Sequence, residues 1–257
     1  MNKDIIVGLL IPLLGTTLGA ALVYIVKENL SERVSKIFTG FAGGVMVAAS
    51  FWSLLVPSIE MSQSAITVFP AAFGFLLGIG FLLCLDTFIP HMHIDKSEEG
   101  FQSKLSSTTK MVLAVTLHNI PEGMAVGVIF AGFIAESAAI SMLGAFALAI
   151  GIAIQNFPEG AIVSMMLITE GVNKHKAFLY GFLSGLVEPI AALMAILFAS
   201  FVTNVLSYFL SFAAGAMIYV VVEELVPDMA KGKHSNLGTI AFALGFVTMM
   251  ILDVTLG

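Results

Sequence analysis

Eight apolar stretches run along the chain, at about 5–26, 37–59, 68–90, 110–133, 138–168, 177–200, 204–226 and 237–256, with short polar punctuation between them. Each is long enough for a helix to cross the hydrocarbon core of a bilayer, which takes roughly 20 residues. None alternates with period two over ~10 residues, as a membrane barrel strand does. A backbone in lipid must also satisfy its own hydrogen bonds, so the stretches are helices. The pattern predicts an all-α integral membrane protein with eight transmembrane helices. Composition agrees, since 58% of residues are hydrophobic and only 11% charged, against about a quarter charged in an ordinary soluble domain.

The basic residues set an orientation. Lys27, Arg33 and Lys36 lie between spans 1 and 2, Lys96, Lys104 and Lys110 between 3 and 4, Lys174 and Lys176 between 5 and 6, and Lys231 and Lys233 between 7 and 8. These loops share one face, and the bias for cytoplasmic positive charge places both termini outside, in a multi-pass protein of the cell (inner) membrane. The net charge of −6 does not alter this, because the rule counts basic residues. The whole chain, 1–257, reads as a single membrane domain. Its one polar loop of some length, about 94–109 (with DKSEEGFQSKLSS), is expected to be a cytoplasmic linker. The first apolar run follows a nearly neutral start and reads as a retained helix. The single cysteine, Cys84, excludes an intramolecular disulfide and is expected to be a small buried hydrophobe, whereas Trp52 is expected to face lipid.

Spans 2 and 7 share wording: FAGGVM at 41–46 against FAAGAM at 212–217, then LVPS at 55–58 against LVPD at 225–228, one residue out of step. Spans 3 and 8 end alike, LLCLD at 82–86 against MMILD at 249–253. Both pairs cross in opposite directions, so spans 1–3 and 6–8 form an inverted repeat around spans 4 and 5, a 3+2+3 arrangement of the kind secondary transporters use.

The central spans carry the chemistry. HNIPEG at 118–123 and QNFPEG at 155–160 each interrupt an oily run. Helical spacing gathers His118, Asn119 and Glu122 on one face, and Gln155, Asn156 and Glu159 on another. Pro121 and Pro158 remove one backbone bond each and are expected to kink their helices. Glu122 lies twelve residues beyond Lys110, Glu159 eleven before Glu170 and Glu188 twelve beyond Lys176. At a rise of 1.5 Å per residue all three sit about 16–18 Å from the inner boundary, and Met46 arrives at about 15 Å. Carboxylates at that depth are costly and repel one another unless protons or cations intervene. Imidazole, carboxylates, amides and a thioether make a borderline donor set suited to Zn²⁺ and its neighbours rather than to Ca²⁺ or Mg²⁺. Two ions bridged by Glu122 and Glu159 would balance the charge better than one. Cross-helix bonding is the plainer alternative for Asn119, Gln155, Asn156 and Glu188, and gap-filling for Met46.

These paired HNxPEG and QNxPEG motifs, the Glu188-Pro189 of span 6 and the 3+2+3 arrangement resemble the ZIP (Zrt/Irt-like protein) family of divalent metal transporters, in its bacterial GufA-like branch. The resemblance covers nearly the whole chain. It implies movement of zinc, and variably cadmium, iron or manganese, toward the cytoplasm. The implied midplane ligands are Met46, His118, Asn119, Glu122, Gln155, Asn156, Glu159 and Glu188. It also implies an inner release site at Asp86, His91, His93 and Glu224, with Glu223 adjacent, an outer entrance at Ser53, Glu60 and Asp253, and a homodimer. One departure is Asn156, where relatives can carry aspartate, so the second metal has one charge fewer to hold it.

The expected function is therefore secondary transport of a divalent metal as substrate through a midplane, binuclear site, with the bilayer as surroundings, no cofactor, no covalent chemistry and no nucleic acid. No G-x-x-x-x-G-K-[ST] loop is present to bind ATP. An intramembrane zinc hydrolase would need H-E-x-x-H, and this chain has Asn119 after the histidine. A proton-coupled carrier of an organic substrate is the alternative that needs no metal.

Overall fold

In the computed structural model, which describes residues 2–26, 30–62, 66, 68–92, 98–201, 205–232 and 234–257, eight helices are long and apolar enough to cross a membrane. They are α1 (Lys3–Tyr24), α2 (Glu32–Glu60), α3 (Val68–Phe88), α4 (Ser107–Ile134), α5 (Met142–Thr169), α6 (Lys174–Ala199), α7 (Leu206–Ala230) and α8 (Leu237–Leu256). Several begin before their apolar run because a polar side chain caps them. Ser31 accepts from the Val34 N–H at 3.4 Å, so the charged turn from Glu32 to Lys36 is already helical. Ser106, Ser141 and Asn173 cap α4, α5 and α6 in the same way. The polar loop between α3 and α4 holds a short antiparallel ribbon, β1 (His91–Met92) and β2 (Glu98–Glu99), pairing His91 with Glu99 and Met92 with Glu98.

The helices pack most closely as α1 on α5, α4 on α6, α2 on α8 and α3 on α7. These contacts carry the inverted repeat residue by residue. A Cβ on Gly44 would collide with the carbonyl of Phe242, and one on Gly215 with that of Phe75. In the same way, Gly245 abuts the carbonyl of Phe41, and Gly78 that of Phe212. Gly44 and Gly215 are equivalent in FAGGVM and FAAGAM, so α2 meets α8 as α7 meets α3. Small residues that admit a neighbouring backbone are the usual means of packing helices in lipid, where water gives no hydrophobic drive.

The slip of one residue between the two LVP motifs also has a structural counterpart. α2 widens to a π-helix over Ser50–Leu55, where the Val56 N–H bonds the Phe51 carbonyl, and α7 does so over Val221–Leu225, where the Val226 N–H bonds the Val221 carbonyl. Each wide turn precedes a proline, Pro57 or Pro227, which has no N–H to close the ordinary bond. Both wide turns, Ser50–Leu55 and Val221–Leu225, fall between the shared glycine motifs and the LVP motifs, the interval that is one residue longer in α2.

A main apolar core runs through the middle of the bundle, with Met46, Phe130, Leu148, Leu210 and Met217 fully enclosed. Two expectations need correction. Cys84 is exposed, on the side of α3 away from the bundle, because an apolar helix in lipid gives no polarity signal for which face is inside. Trp52 packs edge-on against Phe246, with ring centroids 5.2 Å apart, instead of pointing only outward.

Candidate metal site

α4 and α5 remain helical through Pro121 and Pro158, and each presents its polar motif inward. The glycines after the prolines set how close the neighbours come. A Cβ on Gly123 would meet the backbone of Glu188 on α6, and one on Gly160 the carbonyl of Thr16 on α1. α6 is itself interrupted at Leu186, since Pro189 offers no N–H to Gly185. Glu188 therefore falls in the first turn of the second half-helix, where the helix dipole favours a carboxylate.

Four of the expected residues come together at the centre. Gln155 Nε2 donates to Glu122 Oε1 at 2.6 Å and to Asn156 Oδ1 at 3.2 Å. Asn156 lies beside both Glu122 and Glu188, and Glu188 Oε1 accepts from the Thr16 hydroxyl at 3.0 Å. Glu122, Gln155 and Glu188 are wholly buried and Asn156 nearly so. Three of their oxygens, Glu122 Oε2, Gln155 Oε1 and Glu188 Oε2, receive no hydrogen bond. A buried carboxylate oxygen with no donor is costly to leave so.

His118 and Glu159 occupy the next level, lining a cavity with Thr39, Met92, Met111 and Glu224. His118 Nε2 lies 2.6 Å from Glu224 Oε1. Glu159 is close enough to interact with His118 and Glu224 on one side and with Glu122 and Glu188 on the other, so it joins the two levels. This cavity lies toward the face that carries Lys36 and Lys110. Further along α4, beyond Glu122, Val126 is fully buried, and Ile129 lines a second cavity on the opposite face with Trp52, Ser53, Glu60 and Asp253. The four residues of the polar centre line neither cavity: the one on the lysine face ends at His118 and Glu159, and apolar packing around Val126 separates the centre from the other.

The other expected residues occupy separate positions. Asn119 Nδ2 donates to the Ser184 carbonyl at 2.8 Å, bracing α4 to α6. Met46 is enclosed in the apolar core. Ser53 Oγ donates to Asp253 Oδ1 at 2.5 Å, with exposed Glu60 in the same cavity. Asp86 and His91 are buried together, Oδ1 to Nε2 at 3.7 Å, and His91 Nδ1 lies 2.8 Å from the Ile89 carbonyl. Glu224 faces His118, whereas its neighbour Glu223 is exposed. His93 lies outside the described residues. Among the described residues, no three of His, Cys, Asp and Glu converge tightly enough to hold a common ion as the side chains stand; the amides of Gln155 and Asn156 fill part of the space between the acids. Sequence reasoning missed Thr16 and Ser184, which are ordinary small polar residues in apolar spans. Thr16 stands out only in the structure, where it holds against Gly160 the place that Glu188 holds against Gly123.

Comparison with known proteins fits this arrangement. Residues 93–253 match the family model described as ZIP zinc transporter. The chain is 35% identical to "Zinc transporter ZIP11" of Homo sapiens, over 94% of each chain. It is 36% identical to "Zinc transporter GufA" of Myxococcus xanthus, over 97% of this chain and 99% of that one, and 34% identical to "Zinc transporter ZIPB" of Bordetella bronchiseptica, over 94% and 78%. With eight membrane-length helices in an inverted repeat, paired polar motifs at its centre and these relatives along nearly its full length, the chain belongs to the ZIP transporter family.

Proposed function

We propose that the protein is a secondary transporter that carries divalent metal ions, chiefly Zn²⁺, as substrate across the cell membrane into the cytoplasm. The observation that carries this reading is the set of bare oxygens on Glu122, Gln155 and Glu188, enclosed at mid-membrane depth beside a cavity headed by His118, Glu159 and Glu224. Charged groups there cost roughly 2.5–3.5 kcal/mol each even on mild scales, and a dication offsets several at once. No observation favours an organic substrate.

The lysine face is the cytoplasmic one and both termini lie outside, following the basic loops; the loop of about 94–109 then belongs to the cytoplasmic side of the single domain. Ions enter past Glu60, Ser53 and Asp253 and shed water at Glu122, Gln155, Asn156 and Glu188; Met46, in the apolar core, and Asn119, bonded to the Ser184 carbonyl, join the set only by turning toward the ion. Glu159 bridges to a second position at His118 and Glu224. Release proceeds toward Asp86, His91 and His93, with Glu223 adding charge at the exit. Gln155 turns its amide so that oxygen replaces nitrogen toward the ion. Binding must be tight enough to dehydrate the ion and loose enough to let it leave. The protein works as a homodimer, each chain with its own path.

Zinc titration of the purified protein tests the site. Two ions per chain are expected, falling to one in Glu159→Ala. A wild-type stoichiometry of one removes the bridge, and no saturable binding removes the metal reading.

A further inference from the structure

α1 supplies no acidic or imidazole side chain to the centre, yet it touches the site at one atom. Thr16, only 2% exposed, donates its hydroxyl to Glu188 Oε1 at 3.0 Å. Glu188 Oε2 receives no hydrogen bond. The threonine is locked in place on both sides: its carbonyl fills the space where Gly160 lacks a Cβ, and a Cβ on Gly185 would lie 2.8 Å from that of Thr16. Its hydroxyl therefore has little freedom to turn elsewhere.

The consequence concerns how many oxygens the carboxylate can offer. With Oε1 engaged by a hydroxyl, Glu188 presents Oε2 alone. Glu122 is divided in the same manner, its Oε1 held by Gln155 and its Oε2 bare. A one-oxygen carboxylate suits a small ion that takes four ligands at about 2.0–2.2 Å. A two-oxygen carboxylate suits larger ions with six to eight ligands at about 2.3–2.6 Å.

We propose that Thr16 is a specificity-determining, positioning residue that holds Glu188 to one-oxygen coordination and so favours small, four-coordinate dications such as Zn²⁺ over larger ones such as Cd²⁺. The assignment rests on the metal-transport reading. It brings α1 into a site otherwise built from α4, α5 and α6. Thr16 acts through Glu188 and does not touch the ion.

The test compares wild type, Thr16→Val and Thr16→Ser in proteoliposomes, with initial uptake of radioactive zinc and radioactive cadmium measured over a range of concentrations. Valine keeps the branched shape and removes the hydroxyl, whereas serine keeps the hydroxyl. The cadmium-to-zinc ratio of uptake efficiencies should rise about fivefold in Thr16→Val, the weight of one hydrogen bond, and stay at the wild-type value in Thr16→Ser. If valine yields no monodisperse protein, Thr16→Ala makes the same comparison. An unchanged ratio in the hydroxyl-free variant, or an equal shift in the serine variant, overturns the assignment while zinc uptake by wild type stands. Absence of uptake of either metal by wild type overturns the transport reading beneath it.

Discussion

His118 on α4 and Glu224 on α7 meet across the cavity, Nε2 to Oε1 at 2.6 Å, so a residue of the central motif is paired with one from the flanking repeat. Glu224 reaches that position from the π segment Val221–Leu225, which turns Glu224 inward and leaves Glu223 exposed. The two adjacent glutamates therefore differ in role. Glu224→Ala should lower zinc uptake at subsaturating concentration by about tenfold or more, the weight of a hydrogen bond to a charged group. Glu223→Ala should change it less than twofold. Equal effects of the two substitutions in a proteoliposome assay would contradict the distinction.

The wide turn itself is open to test through Pro227. Pro227→Ala supplies the missing N–H and lets the segment relax toward an ordinary α-helix. Rewinding a wide turn to ordinary α geometry shifts the residues after it by about one position, a rotation of about 100°, which strains the His118–Glu224 pair. Uptake should fall severalfold, with the melting temperature in detergent held or raised. A variant with wild-type uptake would separate the π segment from function.

The inverted repeat predicts symmetric damage. Gly78 and Gly245 each abut a phenylalanine carbonyl, Phe212 and Phe41 respectively. Alanine at either position must push two backbones apart, at a cost of about 1–3 kcal/mol. Thermal or denaturant unfolding in detergent should register similar losses for Gly78→Ala and Gly245→Ala. A large loss in one and none in the other would mean that the two interfaces do not carry equivalent packing.

At the opposite face, Asp253 accepts from Ser53 in a cavity that also holds Glu60. A charge that gathers ions acts on encounter more than on passage. Asp253→Asn should raise the half-saturating zinc concentration severalfold and leave the maximal rate within twofold. The difference from wild type should shrink as ionic strength rises and screening shortens the reach of the charge. A fall in maximal rate alone would place Asp253 in the translocation step instead.

Much of the frame is legible in the sequence. The eight spans follow from hydropathy, and the repeat from FAGGVM and FAAGAM, because both signals depend on residues near in sequence. Counting from Lys110, Glu170 and Lys176 puts Glu122, Glu159 and Glu188 at one depth; Glu122 and Glu188 both lie beside Asn156, whereas Glu159 stands one level away with His118. Rotation about the helix axes is not legible. The sequence pairs Glu224 with Glu223 at an exit, since a regular helix gives no sign of a wide turn. It places Cys84 inside, although lipid-facing and core-facing positions of α3 are equally apolar. Thr16 carries no signal at all, as its hydroxyl matters only through the close approach of α1 to α5 and α6.

The central claim is that buried Glu122, tied to Gln155 and bare at Oε2, holds a metal ion in transit. Uptake of radioactive zinc into proteoliposomes, with wild type beside Glu122→Ala, tests it most directly. Wild-type vesicles should accumulate zinc in a saturable manner, and the variant, folded to the same degree by its elution profile, should lose at least about tenfold of that rate, as expected when a charged ligand is removed. Wild-type rates in Glu122→Ala, or no zinc flux in wild type, would contradict the account.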